Sequence, residues 1–275
     1  MGWWGSARSF GRKVWKRVKS TAKRVWHGIG GLTSIISNIV KNGISKISLL
    51  WEIPLVYLEW IPEKKLRLRV VILSDENGNP IAPRDRVESA VAITQRIFER
   101  ELNVKVEGVF GDIVRESAER APSDVLNPPC SSGASDIHTQ IGPMFGEMGA
   151  WYRNRIARTP GGTFAGYGTP VTMFVVRDVQ GSIIGCAHLA WFENYGYIEP
   201  TALPPSWAPT GDVDEVKPYE DFEHATLAHE IGHSCDLFHR KPKRNLMYSN
   251  QSRTGTSLTK WQKAVARSCT HITYR

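Results

Sequence analysis

The sequence predicts an α+β protein: a twisted mixed β-sheet with helices packed on it, preceded by a separate helical extension. Three observations lead there. "KLRLRVVIL" (Lys65–Leu73) alternates basic and apolar residues like a half-buried strand, and a helical run and the strand-like "VKVEGVF" follow it. "HEIGHSCDLFH" (His229–His239) places two histidines at helical spacing. The charge, finally, divides the chain: residues 1–51 hold ten Lys or Arg and no acid, whereas 25 basic and 27 acidic residues follow from Glu52 onward. These features give an extension over residues 1–62 and a folded domain over residues 63–275.

The extension comes first. Trp4, Trp15 and Trp26 recur every eleven residues, and eleven residues return a helix to within about 20° of its starting direction, so the three indoles share a face. Phe10, Val14, Val18, Ala22 and Val25 widen that stripe, while Arg12, Lys16, Lys19 and Lys23 lie elsewhere. The pattern is that of a basic amphipathic helix lying in a membrane interface, where tryptophan suits the headgroup level. An anionic membrane surface contacted through residues 1–31 is one reading, and a docked or solvated targeting extension is the other. The tryptophan stripe argues against nucleic acid, which would need charge alone. Leu32–Pro62 is apolar but interrupted by Lys41, Lys46, Glu52, Pro54 and Glu59, and reads as a second amphipathic element or a linker.

The domain opens as strand, helix and strand. In "PRDRVESAVAITQRIFERELN" (Pro83–Asn103), Val87, Ala90, Val91, Thr94 and Ile97 form the inward stripe. With the flanking strands it makes a βαβ unit. Residues 111–168 read as an insertion with a helix around His138–Ala157. "VTMFVVRDV" (Val171–Val179) and "SIIGCAHLAWF" (Ser182–Phe192) are strand-like and suggest a hairpin turning at Gln180–Gly181. A helix over Asp221–Cys235 carries the first two histidines, and "SLTKWQKAVARS" (Ser257–Ser268) suits a final helix capped by its first serine.

His229 and His233 lie roughly 40° apart and about 6 Å along one helix face, so both imidazoles reach one point. His239 would lie roughly 15 Å from His229 on a continuous helix, far beyond zinc–nitrogen bonds of about 2.0–2.1 Å. The chain must therefore turn back before His239, and Asp236 is best placed to turn it, because Asp tolerates positive φ better than most residues. Three neutral imidazoles would leave one position of a zinc ion open to water. Glu230, beside that position, would take the proton as general base and hand it to a leaving amine, which is peptide hydrolysis. His224 faces away on the same helix, and His27, His138 and His271 lack partners at ligand spacing. His188 reads as an ordinary core or surface histidine.

This stretch, with "RNLMY" (Arg244–Tyr248) after it, resembles the metzincin zinc endopeptidases, whose pattern is H-E-x-x-H-x-x-G-x-x-H followed by a Met-turn. The resemblance implies a metzincin-like domain with His229, His233 and His239 as zinc ligands, Glu230 as general base and Met247 as an apolar floor under the metal. Asp236 stands where the family has glycine. Ser249, two residues after Met247, replaces the tyrosine that is a further ligand in some metzincins, so Tyr248 is not assigned as one. The order Leu246-Met247-Tyr248 is similar to the matrix-metalloprotease form of the turn, which implies that Tyr248 through about Leu258 shape the substrate side-chain pocket. "GCAHLA" is similar to the family's edge strand, which implies that Gly185, Cys186 and Ala187 bind an extended substrate by main-chain hydrogen bonds.

The implied activity is zinc-dependent cleavage of protein or peptide substrates. The other class of reading is a membrane-active toxin module whose protease domain is subordinate or inactive. An uncharged apolar core does not follow the basic start, and no apolar run reaches about 18 residues, so neither an ordinary signal peptide nor a transmembrane helix is expected. Export by an unconventional route, through secretion or injection machinery, is the corresponding expectation. Of the four cysteines, Cys235 and Cys269 end predicted helices and are the expected pair, with Cys130–Cys186 as the second; free buried thiols are the alternative. Neither a G-x-S-x-G stretch nor a phosphate-binding loop competes with the histidine motif.

Overall fold

The computed structural model describes residues 45–109, 111–130, 147–157, 168–181, 183–187, 195–206, 224–250 and 252–274. The expectations for Trp4, Trp15, Trp26, His27, His138 and His188 lie outside these residues. The chain enters through helix α1 (45–57), which closes on Glu59 at φ 61, with the Trp60 amide donating to Leu55 O at 3.0 Å. Strand β1 (Lys64–Ser74) follows, then helix α2 (Arg84–Leu102) and strand β2 (Val104–Gly108). The stripe residues Val87, Ala90, Val91, Thr94 and Ile97 are all buried. Asn103, left-handed at φ 48, ends the helix and turns the chain into β2, which pairs in parallel with β1.

Strand β3 (Val114–Arg120) corrects the expected insertion: it pairs in parallel with the second half of β1, where β2 has run out. Its polar sequence, with only Val114 buried, belongs to a sheet edge and hides it from a search for apolar alternation. Helices α3 (Ser123–Leu126) and α4 (Glu147–Ala157) come next, and the first part of the helix expected from His138 lies outside the described residues. Strands β4 (Val171–Val175), β5 (Gly185–Ala187) and β6 (Tyr195–Ile198) complete the main sheet, in the order β2-β1-β4-β6-β5.

The expected hairpin is overturned. β4 and β5 do not pair, because β6 inserts between them, parallel to β4 and antiparallel to β5. β6 is only four residues, "YGYI", too short and glycine-broken to announce itself, yet all four are buried. A 3-10 turn (Pro200–Ala202) precedes helix α5 (Thr226–Ser234); the 221–223 part of the expected histidine helix lies outside the described residues. Helix α6 (Lys260–Ser268) and strand β7 (Ile272–Thr273) end the fold. Ser257 does not cap α6. Thr259 does: its hydroxyl accepts from the Gln262 amide, and Gln262 reaches back to the Thr259 amide.

The sheet is mixed and mostly parallel, and its two faces bury different clusters. Leu66, Leu68, Val70 and Ile72 of β1 pack with α2, α5 and α6. Leu73 packs with Phe174, Tyr195, Tyr197 and Tyr152 of α4. Each such fully buried side chain contributes roughly 1.5–3 kcal/mol. Cys130 and Cys186 form a disulfide beside the second cluster, as expected, but Cys235 and Cys269 are buried free thiols. Among the described residues no helix is long and apolar enough to cross a membrane.

Candidate metal centre

Helix α5 ends just past His233, and its termination builds the site. Asp236 takes the left-handed conformation at φ 63, the Asp236 amide donates to His233 O at 3.0 Å, and the Leu237 amide donates to Gly232 O at 3.0 Å. That pair of bonds is the Schellman closure, which reverses the chain at one left-handed residue. The expected turn at Asp236 is therefore present. Burial pushes the Asp236 carboxyl up to about 6.

The reversal brings His239 back over the helix. His229 Nε2 lies 3.2 Å from His239 Nε2, and His233 Nε2 lies 3.1 Å from each of the other two. Nδ1 of His229 hydrogen-bonds Leu246 O and Nδ1 of His233 hydrogen-bonds Leu237 O, both at 2.7 Å. A carbonyl oxygen only accepts, so both rings carry their proton on Nδ1 and present a free Nε2 lone pair to the shared point. Burial, then the neighbouring His233, holds His229 well below the ordinary imidazole range. Burial brings His233 down to about 4, and burial followed by Arg253 lowers His239. All three are neutral near pH 7, the state a metal ligand needs.

The donor set fits a small divalent ion. Three nitrogens bonded to one tetrahedral centre at about 2.0–2.1 Å stand roughly 3.3 Å apart, close to the observed separations. Among the described residues this is the group of side chains that can hold a metal.

Glu230, the residue after His229 on α5, is 6% exposed, and its carboxylate lies against Gly185. Burial pushes its carboxyl up to about 8, while Arg253 and the Ala187 backbone amide pull the other way. A cation in the cage would pull it further down, because nearby positive charge favours the carboxylate. Met247 is fully buried under α5: a Cβ on Gly232 would meet its Sδ at 2.7 Å. β5, carrying Gly185, Cys186 and Ala187, is the last strand of the sheet order and passes over Glu230, with Gly185 against the carboxylate. Cys186 is tied to Cys130. Tyr248 is partly buried, and its backbone bridges to Arg240, the residue after His239.

Two residues that sequence reasoning did not single out shape the centre. Asn245 accepts from the Met247 amide at 3.0 Å and exchanges two amide hydrogen bonds with Gln262, at 2.8 and 3.1 Å, locking the turn to α6. Its signal was an Asn two residues before the turn's methionine, which is an Asx-turn pattern. Arg253 is buried and donates to Ala225 O at 3.3 Å and Leu246 O at 3.4 Å, so Leu246 O serves both Arg253 and His229. A lone arginine in a polar loop gave no sequence signal.

No family model matches the chain, and no curated protein matches it. Solved structures that the chain resembles include the following two. Metalloproteinase-II from Bacteroides fragilis overlaps with a TM-score of 0.40 at 14% identity, covering 74% of this chain and 55% of that one. A chaperone–substrate complex overlaps with a TM-score of 0.39 at 10% identity, covering 75% of this chain and 34% of that one. The chain thus spans about half the length of the first and a third of the second. Likenesses this partial leave the functional reading to the site itself.

Proposed function

We propose that the chain is a zinc-dependent endopeptidase, with His229, His233 and His239 holding the ion and Glu230 as the general base. The observation that carries the reading is the convergence of three Nε2 atoms within 3.2 Å of one another, with the buried Glu230 next to His229 in the same helix. The metzincin-like spacing of the sequence points to the same chemistry. A zinc ion supplies Lewis acidity toward a peptide carbonyl and toward water.

The chain's own groups do the rest. An extended substrate adds to the edge of β5 that no described strand pairs, through main-chain hydrogen bonds, which brings its scissile bond toward Glu230. Glu230, ionised beside the cation, accepts a proton from the attacking water and returns it to the departing amine. Leu246 O and Leu237 O keep the His229 and His233 rings in their Nε2-presenting tautomers throughout.

The experiment is a random peptide library incubated with the purified chain, with and without a chelator. The reading predicts internal cleavages that stop with chelator and return when zinc is restored in excess. Cleavage indifferent to chelation, or none in the zinc-loaded protein, overturns it.

A further inference from the structure

Helix α1 is packed with its one acidic residue inward and its apolar side outward. Glu52, 1% exposed, is held by Lys64 Nζ at 2.7 Å and Arg267 Nε at 2.8 Å, and Tyr274 donates to it at 3.1 Å. Val56 is buried one turn on. That ionic anchor sets the rotation of the helix, and turning it over would strand two buried cations. The opposite side carries Ile47, Leu50, Trp51, Tyr57 and Leu58, which at about 100° per residue fall within an arc of roughly 120°. They are 64%, 71%, 73%, 52% and 76% exposed, and Trp60, just past the helix, is 72% exposed.

Of the nine large apolar side chains exposed among the described residues, these are six. Trp261 and Tyr274 are two more: Tyr274 bonds Glu52, and Trp261 adjoins Lys260, which pairs with Glu59 at 2.9 Å. Exposed apolar surface concentrated in this way marks an interaction face rather than scattered residues.

We infer that this face docks the protein on an anionic lipid bilayer, with α1 lying in the interface plane. Charge selects the occupant. The stripe continues directly from a segment in which residues 1–51 carry ten basic and no acidic side chains, the complement of an acidic lipid surface. The composition of the stripe agrees, because tryptophan and tyrosine among aliphatics suit the headgroup boundary. At 13 residues α1 is too short to span the hydrocarbon, which takes about 20, so it lies on the membrane rather than across it. Of the nearby acids, Glu52 and Glu59 are paired with Lys64, Arg267 and Lys260, and Glu63 faces solvent next to β1. The inference is independent of the protease reading.

The test is co-sedimentation of the full chain with vesicles of phosphatidylcholine alone or containing a quarter phosphatidylserine. It is repeated for the combined variant Leu50→Ser, Trp51→Ser, Leu58→Ser, and each protein's mass is measured by light scattering. Circular dichroism and a cooperative thermal melt report that the variant is folded. The wild-type chain is expected to bind the anionic vesicles as a monomer, and the variant to partition at least about tenfold more weakly. Equal partitioning of the two proteins overturns the inference, as does failure of the wild-type chain to bind. A wild-type dimer that the substitutions split makes the face a contact between copies instead. A variant that binds vesicles normally but melts several degrees lower shows that the chain's own first residues cover the stripe.

Discussion

The Glu230 carboxylate lies against the α-carbon of Gly185: a Cβ built there would stand 2.9 Å from Oε1 and 3.0 Å from Cγ. The edge strand and the proposed base are thus in contact, and the strand's one bare α-carbon is where the carboxylate sits. Gly185→Ala displaces the end of a flexible side chain rather than backbone, so the fold and the metal site should survive while the base moves. Turnover should fall, by at most the roughly 100-fold that a misplacement of about 1 Å costs. Peptide cleavage measured alongside zinc content checks it, and unchanged turnover means the base does not depend on this contact.

Replacing the carboxylate itself separates binding from chemistry. Glu230→Gln keeps the shape and leaves the three imidazoles in place, so zinc content should stay at the wild-type level. Turnover should fall by about 10²–10⁴-fold, the usual contribution of a positioned general base. A variant that cleaves at the wild-type rate removes Glu230 from the mechanism.

Asp236 holds the left-handed turn at φ 63 and carries a carboxyl pushed up to about 6 from an ordinary value of 3.8. Below pH 3.8 both folded and unfolded chains hold the proton. Between 3.8 and about 6 the unfolded chain releases it while the folded one keeps it, so the group's effect on stability grows less favourable as pH rises through that window. Asp236→Gly removes the carboxyl and suits the positive φ. Its melting temperature should exceed the wild type's, by more at pH 7 than at pH 4. A pH-independent difference contradicts the buried carboxyl.

Under the cage, Gly232 leaves 2.7 Å between a would-be Cβ and Met247 Sδ. Gly232→Ala should cost about 1–3 kcal/mol, the usual range for overpacking a filled core. In a Met247→Ala background the same change should cost less, because the sulfur it strikes is gone. Denaturant unfolding of the four proteins in this cycle measures the difference, and strict additivity would show that the two residues do not touch.

Much of the centre was legible because its determinants are local. His229 and His233 are read from one helical turn, and the need for a reversal before His239 follows from helix rise alone, which points to Asp236. The β1-α2-β2 unit was legible for the same reason: each element has its own periodicity and the three are consecutive. What stayed hidden is non-local. β6 is recognisable only once it lies between β4 and β5, and β3 only once it extends β1. Cys235 and Cys269 each end a helix as expected and are close enough to hydrogen-bond, yet they remain thiols. Arg253 acts through Leu246 O, a backbone atom whose double use no residue pattern reveals.

Everything rests on three imidazoles sharing one ion, and metal stoichiometry addresses that most directly. Zinc should be measured by mass spectrometry in the purified, buffer-exchanged full chain and in His239→Ala, the ligand that only the reversal at Asp236 can deliver. The account predicts about one zinc per wild-type chain and a loss of at least tenfold in affinity for the variant, with its circular dichroism unchanged. Full zinc retention by folded His239→Ala would contradict it.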